Sequence, residues 1–476
     1  MVELLFFNSE TNQKEILKPL EEGHVRMYTC GPTIYDFAHI GNFRTYVFED
    51  LLRRTLKYFD FKVTQVMNIT DVDDKTIRRA VEQDKSLQDF TAPFKKAFFE
   101  DLKTLGIEPV EYYPCATDYI DEMIAMIEKL LDKGYAYRGN DGSIYFAISR
   151  FSRYGCLSHL KLDELQTGAS QRVSSDEYDK ESASDFVLWK SYDAERDGPV
   201  FWDSTFGKGR PGWHLECSAM ATEILGDSID IHCGGVDNKF PHHENEIAQC
   251  EAVTGQRFVR IWMHAEHLIV ENKKMSKSLG NFYTLRDLLE KGYQGVHVRY
   301  LLLQTHYKTQ LNFTFEGLEA AKGALQRIND FVLRMQELEE NSTVEDSTSP
   351  ELDVWIEKAK KSFSDSLADD LNISEALAAI FDFIREVNAL SDQQSIGSSN
   401  AKQVLDFLKH CDTVLNVMNF QQNAEEIPKE IVEAQKKREE ARKEKNWELA
   451  DRLRDFIHEK GYVIEDTAKG VRLKKK

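Results

Sequence analysis

Long apolar runs are missing from this 476-residue chain. That excludes any segment of the roughly 20 apolar residues that a membrane-spanning helix needs. The opening MVELLFFNSETNQ has neither the basic start nor the extended apolar stretch of a secretory leader. Cysteine is scarce: there are seven, an odd number, and no two have C-x-x-C spacing. This excludes a disulfide framework and leaves reduced thiols or dispersed metal ligands, as in a cytoplasmic protein. Basic charge is the minority, 61 Lys and Arg against 81 Asp and Glu, for a net −20. Such a chain does not offer nucleic acid a positive surface on all sides, so any RNA contact must be local. No internal repeat is found, which excludes a solenoid.

The chain is too long for one core, and two to four domains are expected. Residues 25–30 (VRMYTC) read as a strand entering Gly31-Pro32-Thr33. A helical run follows from Arg44 to about Tyr58, then a strand over 62–70. Strand, glycine turn, helix and strand open a parallel nucleotide-binding fold. A helical stretch at 116–133 and a charged, turn-rich stretch to about 200 interrupt it, as an insertion over about 110–200. The alternation resumes with a helix at 214–225, a strand at 228–233, a helix after Pro241 and a strand at 260–270. From 316, helical periodicity over 316–339, 350–369, 372–391 and 400–419 predicts a bundle, divided by NSTVEDSTSP and SDQQSIGSSN. The expected architecture is α/β: a Rossmann-like catalytic domain with an insertion (1–315, signature-loop region about 260–315), an α-helical bundle (316–424) and a small mixed domain (425–476).

Two short segments carry phosphate chemistry. KMSKS (274–278) combines two lysines with hydroxyls in a turn, which suits a polyphosphate but reads equally as a solvated loop. HIGN (39–42) precedes a helix, whose amino end offers N–H groups and a positive dipole to phosphate. His39 can donate to phosphate oxygens as charge develops. Gly41 lacks a side chain, so an adenine could approach the helix backbone, and Asn42 offers a neutral donor. CGGVD (233–237) closes a strand with Gly235 and Asp237, where ligands sit in such sheets.

In this order, HIGN and KMSKS resemble the two signature motifs of class I aminoacyl-tRNA synthetases. Three further segments, TCGPT (29–33), GWHLECSAM (212–220) and FPHHENE (240–246), resemble those that hold zinc in the cysteinyl-tRNA synthetases. DFVLWK (185–190) and SKSLGNF (276–282) fit the same family, so the match covers nearly the whole chain. The spacing of Cys30, Cys217, His242 and Glu246 does not separate a metal site from core cysteines beside an acidic helix. The resemblance implies that these four bind one Zn2+ per chain. It also implies an ATP site, with ATP entering alongside Mg2+, at His39, Gly41, Asn42, Gly235, Asp237, Lys274 and Lys277; Asp237 would hold ribose hydroxyls and Lys277 the phosphates. Trp213 would wall the amino-acid pocket and His232 would meet the substrate carboxylate. The implied activity is ATP-dependent ligation of L-cysteine to tRNA(Cys) by a monomer. The rival within the same fold joins cysteine to an amino-sugar.

The tail interleaves Lys436, Lys437, Arg438, Arg442, Lys443, Arg452 and Arg454 with Trp447. That pattern suits stacking on single-stranded bases, although a charged helix is more often a solvated face. The resemblance implies an anticodon-reading end.

Overall fold

The computed structural model describes residues 2–160, 185–342, 344, 350–393, 395–421, 428–467 and 470–475. Its centre is a sheet of four parallel strands: β1 (His24–Thr29), β2 (Lys62–Met67), β3 (Ile229–Gly235) and β4 (Val259–Ala265). Their spatial order is β4-β3-β1-β2. β3 and β4 are buried along nearly their whole length, as strands covered on both faces must be. The chain steps from β1 to β2 in one direction and from β3 to β4 in the other. The carboxyl ends of β1 and β3 therefore flank a crevice at the reversal point, where ligands bind in such sheets.

The helix after β1, α1 (Ile40–Tyr58), starts four residues before the Arg44 expected from periodicity. Its cap explains the difference: His39 Nδ1 accepts from the Asn42 N–H at 3.2 Å, and Asn42 Oδ1 accepts from the His39 N–H at 3.1 Å. This reciprocal pair satisfies two amino-terminal donors.

A short helix, α2 (Asp74–Glu82), follows β2, and the insertion comes after it. Its core is a four-stranded antiparallel sheet of Ala136–Arg138, Ile144–Phe146, Phe186–Ser191 and Gly209–Pro211. Its last strand lies beyond the expected limit near 200, because Trp189 to Ser191 pair with Pro211 to Gly209. Residues 161–184 of the insertion lie outside the described residues. At Gly212 a Cβ would fall 2.2 Å from the Val187 carbonyl oxygen. Glycine there lets the chain turn from this sheet directly into α3 (Trp213–Leu225).

The fourth layer element, α4 (His242–Thr254), joins β3 to β4. The strand expected over 260–270 is two strands. β4 ends at Ala265, and Leu268–Val270 belongs to a small sheet with Lys273–Lys274 and Leu311–Phe313. Glu271 and Asn272, at φ +49° and +59°, form the tight hairpin turn that brings Lys274 back toward the crevice.

Four long helices follow: α5 (Phe315–Asn341), α6 (Pro350–Ala368), α7 (Ile373–Asp392) and α8 (Ser398–Leu415). α8 stops short of the expected 419 because Asn416 takes the left-handed cap conformation at φ +52°. The dividing segments fall partly outside the described residues, at 343, 345–349 and 394. Residues up to Met418 form one compact unit, and 419–476 form a second. The expected boundary at 425 falls within 422–427, outside the described residues. The second unit contains α9 (Lys429–Lys443), α10 (Trp447–Glu459) and a hairpin of β5 (Tyr462–Thr467) and β6 (Gly470–Lys475). Its core is Ile431, Ala434 and Ile457, with Leu453, Tyr462 and Ile464 packed against it.

Candidate active site and metal centre

A cleft of about 1030 Å³ opens at the ends of β1 and β3. Nine of the sequence-predicted site residues line it: Cys30, His39, Gly41, Asn42, Trp213, Gly235, Asp237, Lys274 and Lys277. Strand ends, the α1 cap, the turn after β3 and the 271–272 hairpin each deliver one part.

On the phosphate side, the α1 cap fixes the tautomer of His39. Nδ1 accepts the Asn42 N–H, so in the neutral ring the proton is on Nε2, available to donate. Burial is the main cause that lowers the His39 pKa, to about 4, and the Lys277 ammonium contributes. His39 is therefore neutral at pH 7. Gly41 is also required by its neighbours. A Cβ there would lie 2.9 Å from the His39 ring and 3.2 Å from Met275 Cε, so the missing side chain makes room for His39 itself.

The signature loop is stapled by Asn281, which accepts the Ser276 N–H at 2.9 Å and donates to the Lys274 carbonyl at 3.1 Å. Lys277 Nζ reaches Asp36 Oδ2 at 2.6 Å. Asp36 also takes Arg79 at 3.2 Å and the Phe37 N–H at 2.9 Å. Burial opposes ionisation of Asp36, but these donors outweigh it and hold the carboxyl below its usual range. Asp237 lies on the other wall, with His267 Nε2 3.3 Å away. Sequence reading missed Asp36, Arg79 and His267. Asp36 lies between TCGPT and HIGN, but nothing in a single sequence shows that it faces a lysine 241 positions later.

Behind the cleft floor, one ligand atom from each of Cys30, Cys217, His242 and Glu246 lies within 4.8 Å of the others, and all four residues are buried. Cys30 directly follows β1, α3 presents Cys217 in its second turn, and α4 presents His242 and Glu246 four apart on one face. Burial opposes ionisation of Cys217, but its hydrogen bond with Cys30 and the neighbouring His242 bring the thiol down to about 6. Burial likewise opposes a charged Glu246, yet His232 and His242 hold it at about 2. Glu246 is fully buried, with Oε1 3.0 Å from His242 Nε2 and Oε2 2.9 Å from His232 Nε2. Two thiols, an imidazole and a carboxylate are a donor set that fits a tetrahedral zinc.

A second grouping, Cys30, His232, His243 and Glu246, is equally compact but has one thiol. In it His243 Nδ1 contacts His264 at 2.9 Å and His232 Nε2 contacts Glu246 Oε2 at 2.9 Å. The first set, with two soft thiolate ligands, suits zinc better. His214 Nδ1 contacts His242 Nδ1 at 2.8 Å, and Trp213 stacks on the His242 ring at 4.2 Å.

His232 does not line the cleft. It is fully buried, stacked 4.5 Å from Trp262 and bonded to Glu246. Its position is behind Glu246, where it orients that carboxylate. Cys233 follows His232 on β3 and points to the opposite face by strand alternation, toward the Glu49 carboxyl.

The family profile for the tRNA synthetases class I (C) catalytic domain matches residues 16–323, and that for the DALR domain matches 362–420. The cysteine–tRNA ligase of Protochlamydia amoebophila is 61% identical over 474 residues, covering 100% of this chain and 98% of that protein. The chain belongs to the cysteine–tRNA ligase family. The Chlamydia felis member is 55% identical over 99% of this chain and 98% of its own. The class I fold extends to distant synthetases. Methionyl-tRNA synthetase of Mycobacterium tuberculosis, solved with methionyl-adenylate, matches with a TM-score of 0.61 at 13% identity, over 83% of this chain and 90% of that one.

The family's two halves meet this architecture directly: the catalytic match ends inside α5, and the DALR match spans the end of α6 through α8. In the second unit, the tail cations differ in setting. Arg438 is buried, Arg452 and Arg454 pair with Glu448 and Asp451, and Lys436, Lys437, Lys443 and Trp447 are exposed.

Proposed function

We propose that the chain ligates L-cysteine to tRNA(Cys) in two steps at the one cleft. The observation that carries this reading is that His39, Lys274, Lys277 and Asp237 line the same cavity as Cys30, the member of the Cys30–Cys217–His242–Glu246 cluster that reaches it. In the first step the cysteine carboxylate attacks the α-phosphorus of ATP, brought with Mg2+, and pyrophosphate leaves. His39 donates from Nε2 to an α-phosphate oxygen, and Lys277 leaves Asp36 to pair with the departing phosphates, assisted by Lys274. Asp237 takes the ribose hydroxyls, and Trp213 walls the amino-acid pocket. In the second step a ribose hydroxyl at the tRNA 3′ end attacks the acyl carbon and AMP leaves.

Zinc held by Cys30, Cys217, His242 and Glu246 would take the substrate thiol as thiolate, a ligand that the hydroxyl of serine cannot match. The chain's own residues support it there: His214 and His232 orient His242 and Glu246. The seven cysteines are free thiols, which suits a reducing cytoplasm. The expected species is a monomer of 55.0 kDa, read by gel filtration.

The rival acceptor, an amino-sugar, leaves the 419–476 unit without a purpose, and the full-length likeness to cysteine–tRNA ligases favours tRNA. Cysteine-dependent exchange of pyrophosphate into ATP, followed by charging of tRNA, tests the reading. Exchange without charging would favour the amino-sugar acceptor, and no exchange would sink the ligase assignment.

A further inference from the structure

We propose that Glu216 is the acceptor for the α-ammonium of the amino-acid substrate. The inference rests on the cysteine-ligase reading and adds a second point of recognition to it. Selection at a metal addresses only the thiol. Small thiols lacking an amino group would satisfy that contact equally, so a ligase for an amino acid needs an acceptor for the ammonium as well.

The cleft offers one carboxyl placed for this. Trp213, Glu216 and Cys217 lie at i, i+3 and i+4 on α3 and so share one helix face. Trp213 and Glu216 line the cleft, and Cys217 belongs to the metal cluster beneath it. Glu216 is only 1% exposed, and its Oε2 has no hydrogen-bond partner. The Thr70 side chain hydrogen-bonds the carboxyl group and fixes its direction. The neighbouring cation, Arg210, is committed elsewhere, to Asp197 at 3.1 Å and to Asp74. A buried carboxyl oxygen without a partner is an open position for a hydrogen-bond donor.

The other carboxyls lining the cleft are already engaged. Asp36 holds Lys277 and Arg79, and Asp73 caps α2 through the Thr76 N–H. Asp74 pairs with Lys190 and Arg210, Asp237 faces His267, and Glu266 accepts the His267 N–H. Among the described cleft-lining residues, Glu216 alone has a buried carboxyl oxygen without a partner. Glu216 is next to Cys217 in the chain and its carboxyl lies close to that thiol, so an amino acid whose thiol is held at the cluster meets this carboxyl nearby.

The test uses full-length zinc-loaded protein and two ligands: L-cysteine, and 3-mercaptopropionate, which keeps the thiol and carboxylate but lacks the ammonium. Calorimetric titration gives both dissociation constants, for wild type and Glu216→Gln, with zinc content measured alongside. The expected result is a loss of cysteine affinity on the order of ten- to a hundredfold with 3-mercaptopropionate binding unchanged, as for a lost charged partner. Equal losses for the two ligands would make Glu216 a shaper of the metal pocket and overturn the proposal, as would no loss for either. If Glu216→Gln loses zinc or fails to fold, wild type decides. Cysteine must then bind at least about tenfold tighter than 3-mercaptopropionate, and equal affinities overturn the proposal. Absence of cysteine-dependent exchange in wild type would overturn the ligase reading and this proposal with it, whereas normal exchange with an unaltered Glu216→Gln overturns the proposal alone.

Discussion

At the scale of single residues, the site separates side chains that meet substrate from those that hold other side chains. Cys217→Ala removes one of two thiolates from a buried cluster, so zinc content should fall from about one per chain to well below that. Cys233→Ala, on the opposite face of β3, should leave the zinc in place. Metal analysis of both purified proteins checks the assignment, and a zinc content indifferent to Cys217 would end it. Lys277→Ala should slow adenylate formation on the order of a hundredfold while cysteine binding changes little, because its charge is needed as pyrophosphate departs. Single-turnover kinetics separates the two effects.

His39 gives a pH signature. Its pKa is about 4 in the folded chain, against 6.5 for an unperturbed histidine, so folding favours the neutral ring. Its contribution is complete above 6.5 and is lost as pH falls from there toward 4, because the unfolded chain takes up the proton first. Urea midpoints for wild type should therefore drop more steeply over that interval than those of His39→Asn. Parallel curves would show that the ring is not held neutral.

At the scale of elements, caps and turns place the chemistry. The start of α1 is a structural cap and a cleft-facing group at once, since the same hydrogen bonds that cap the helix orient His39. Asn42→Ala should cost about 1 kcal/mol of stability, as for other lost amino-terminal caps. It should also lower the rate of activation more than it raises the KM for ATP, because the freed imidazole no longer presents Nε2 in one direction. Chemical denaturation and pyrophosphate exchange on the same preparation give both numbers. A stability loss with unchanged activation would mean that the cap is only structural. The same logic applies to the signature loop, where Asn281 and the 271–272 turn fix Lys274 and leave Lys277 to reach Asp36.

At the scale of the whole molecule, the residues proposed for activation all belong to the unit ending at Met418, while the tail forms its own small core. Ending the chain after Met418 should leave cysteine-dependent exchange largely intact and sharply reduce tRNA charging. The intact chain's tRNA affinity should also fall more steeply with salt than the shortened chain's, since fewer phosphates are neutralised once Lys436, Lys437 and Lys443 are gone. Thermal unfolding must first show that the shortened protein is folded. If it then charges tRNA as well as the intact chain, the exposed lysines and Trp447 are a solvated face.

Local information sufficed where the determining forces are local. Periodicity placed the ends of β1 and β3, the start of β2 and the four bundle helices to within a few residues, because it records which faces each element buries. It did not show the four short insertion strands, α2 or the break after Ala265. HIGN and KMSKS stood out as short contiguous segments, and the structure brings His39, Lys274 and Lys277 to one cleft. The metal set could be named only by resemblance, since its members span positions 30 to 246 and no short-range spacing links them. What brings them together is the strand order β4-β3-β1-β2, which sets β1 beside β3 and hangs α3 and α4 over their ends. Tertiary structure alone decided that His232 supports Glu246 instead of facing the cleft, that Gly41 makes room for His39, and that Lys277 rests on Asp36. Each depends on which side chains converge in space, and a sequence specifies that only through the packing of the whole sheet and its helices.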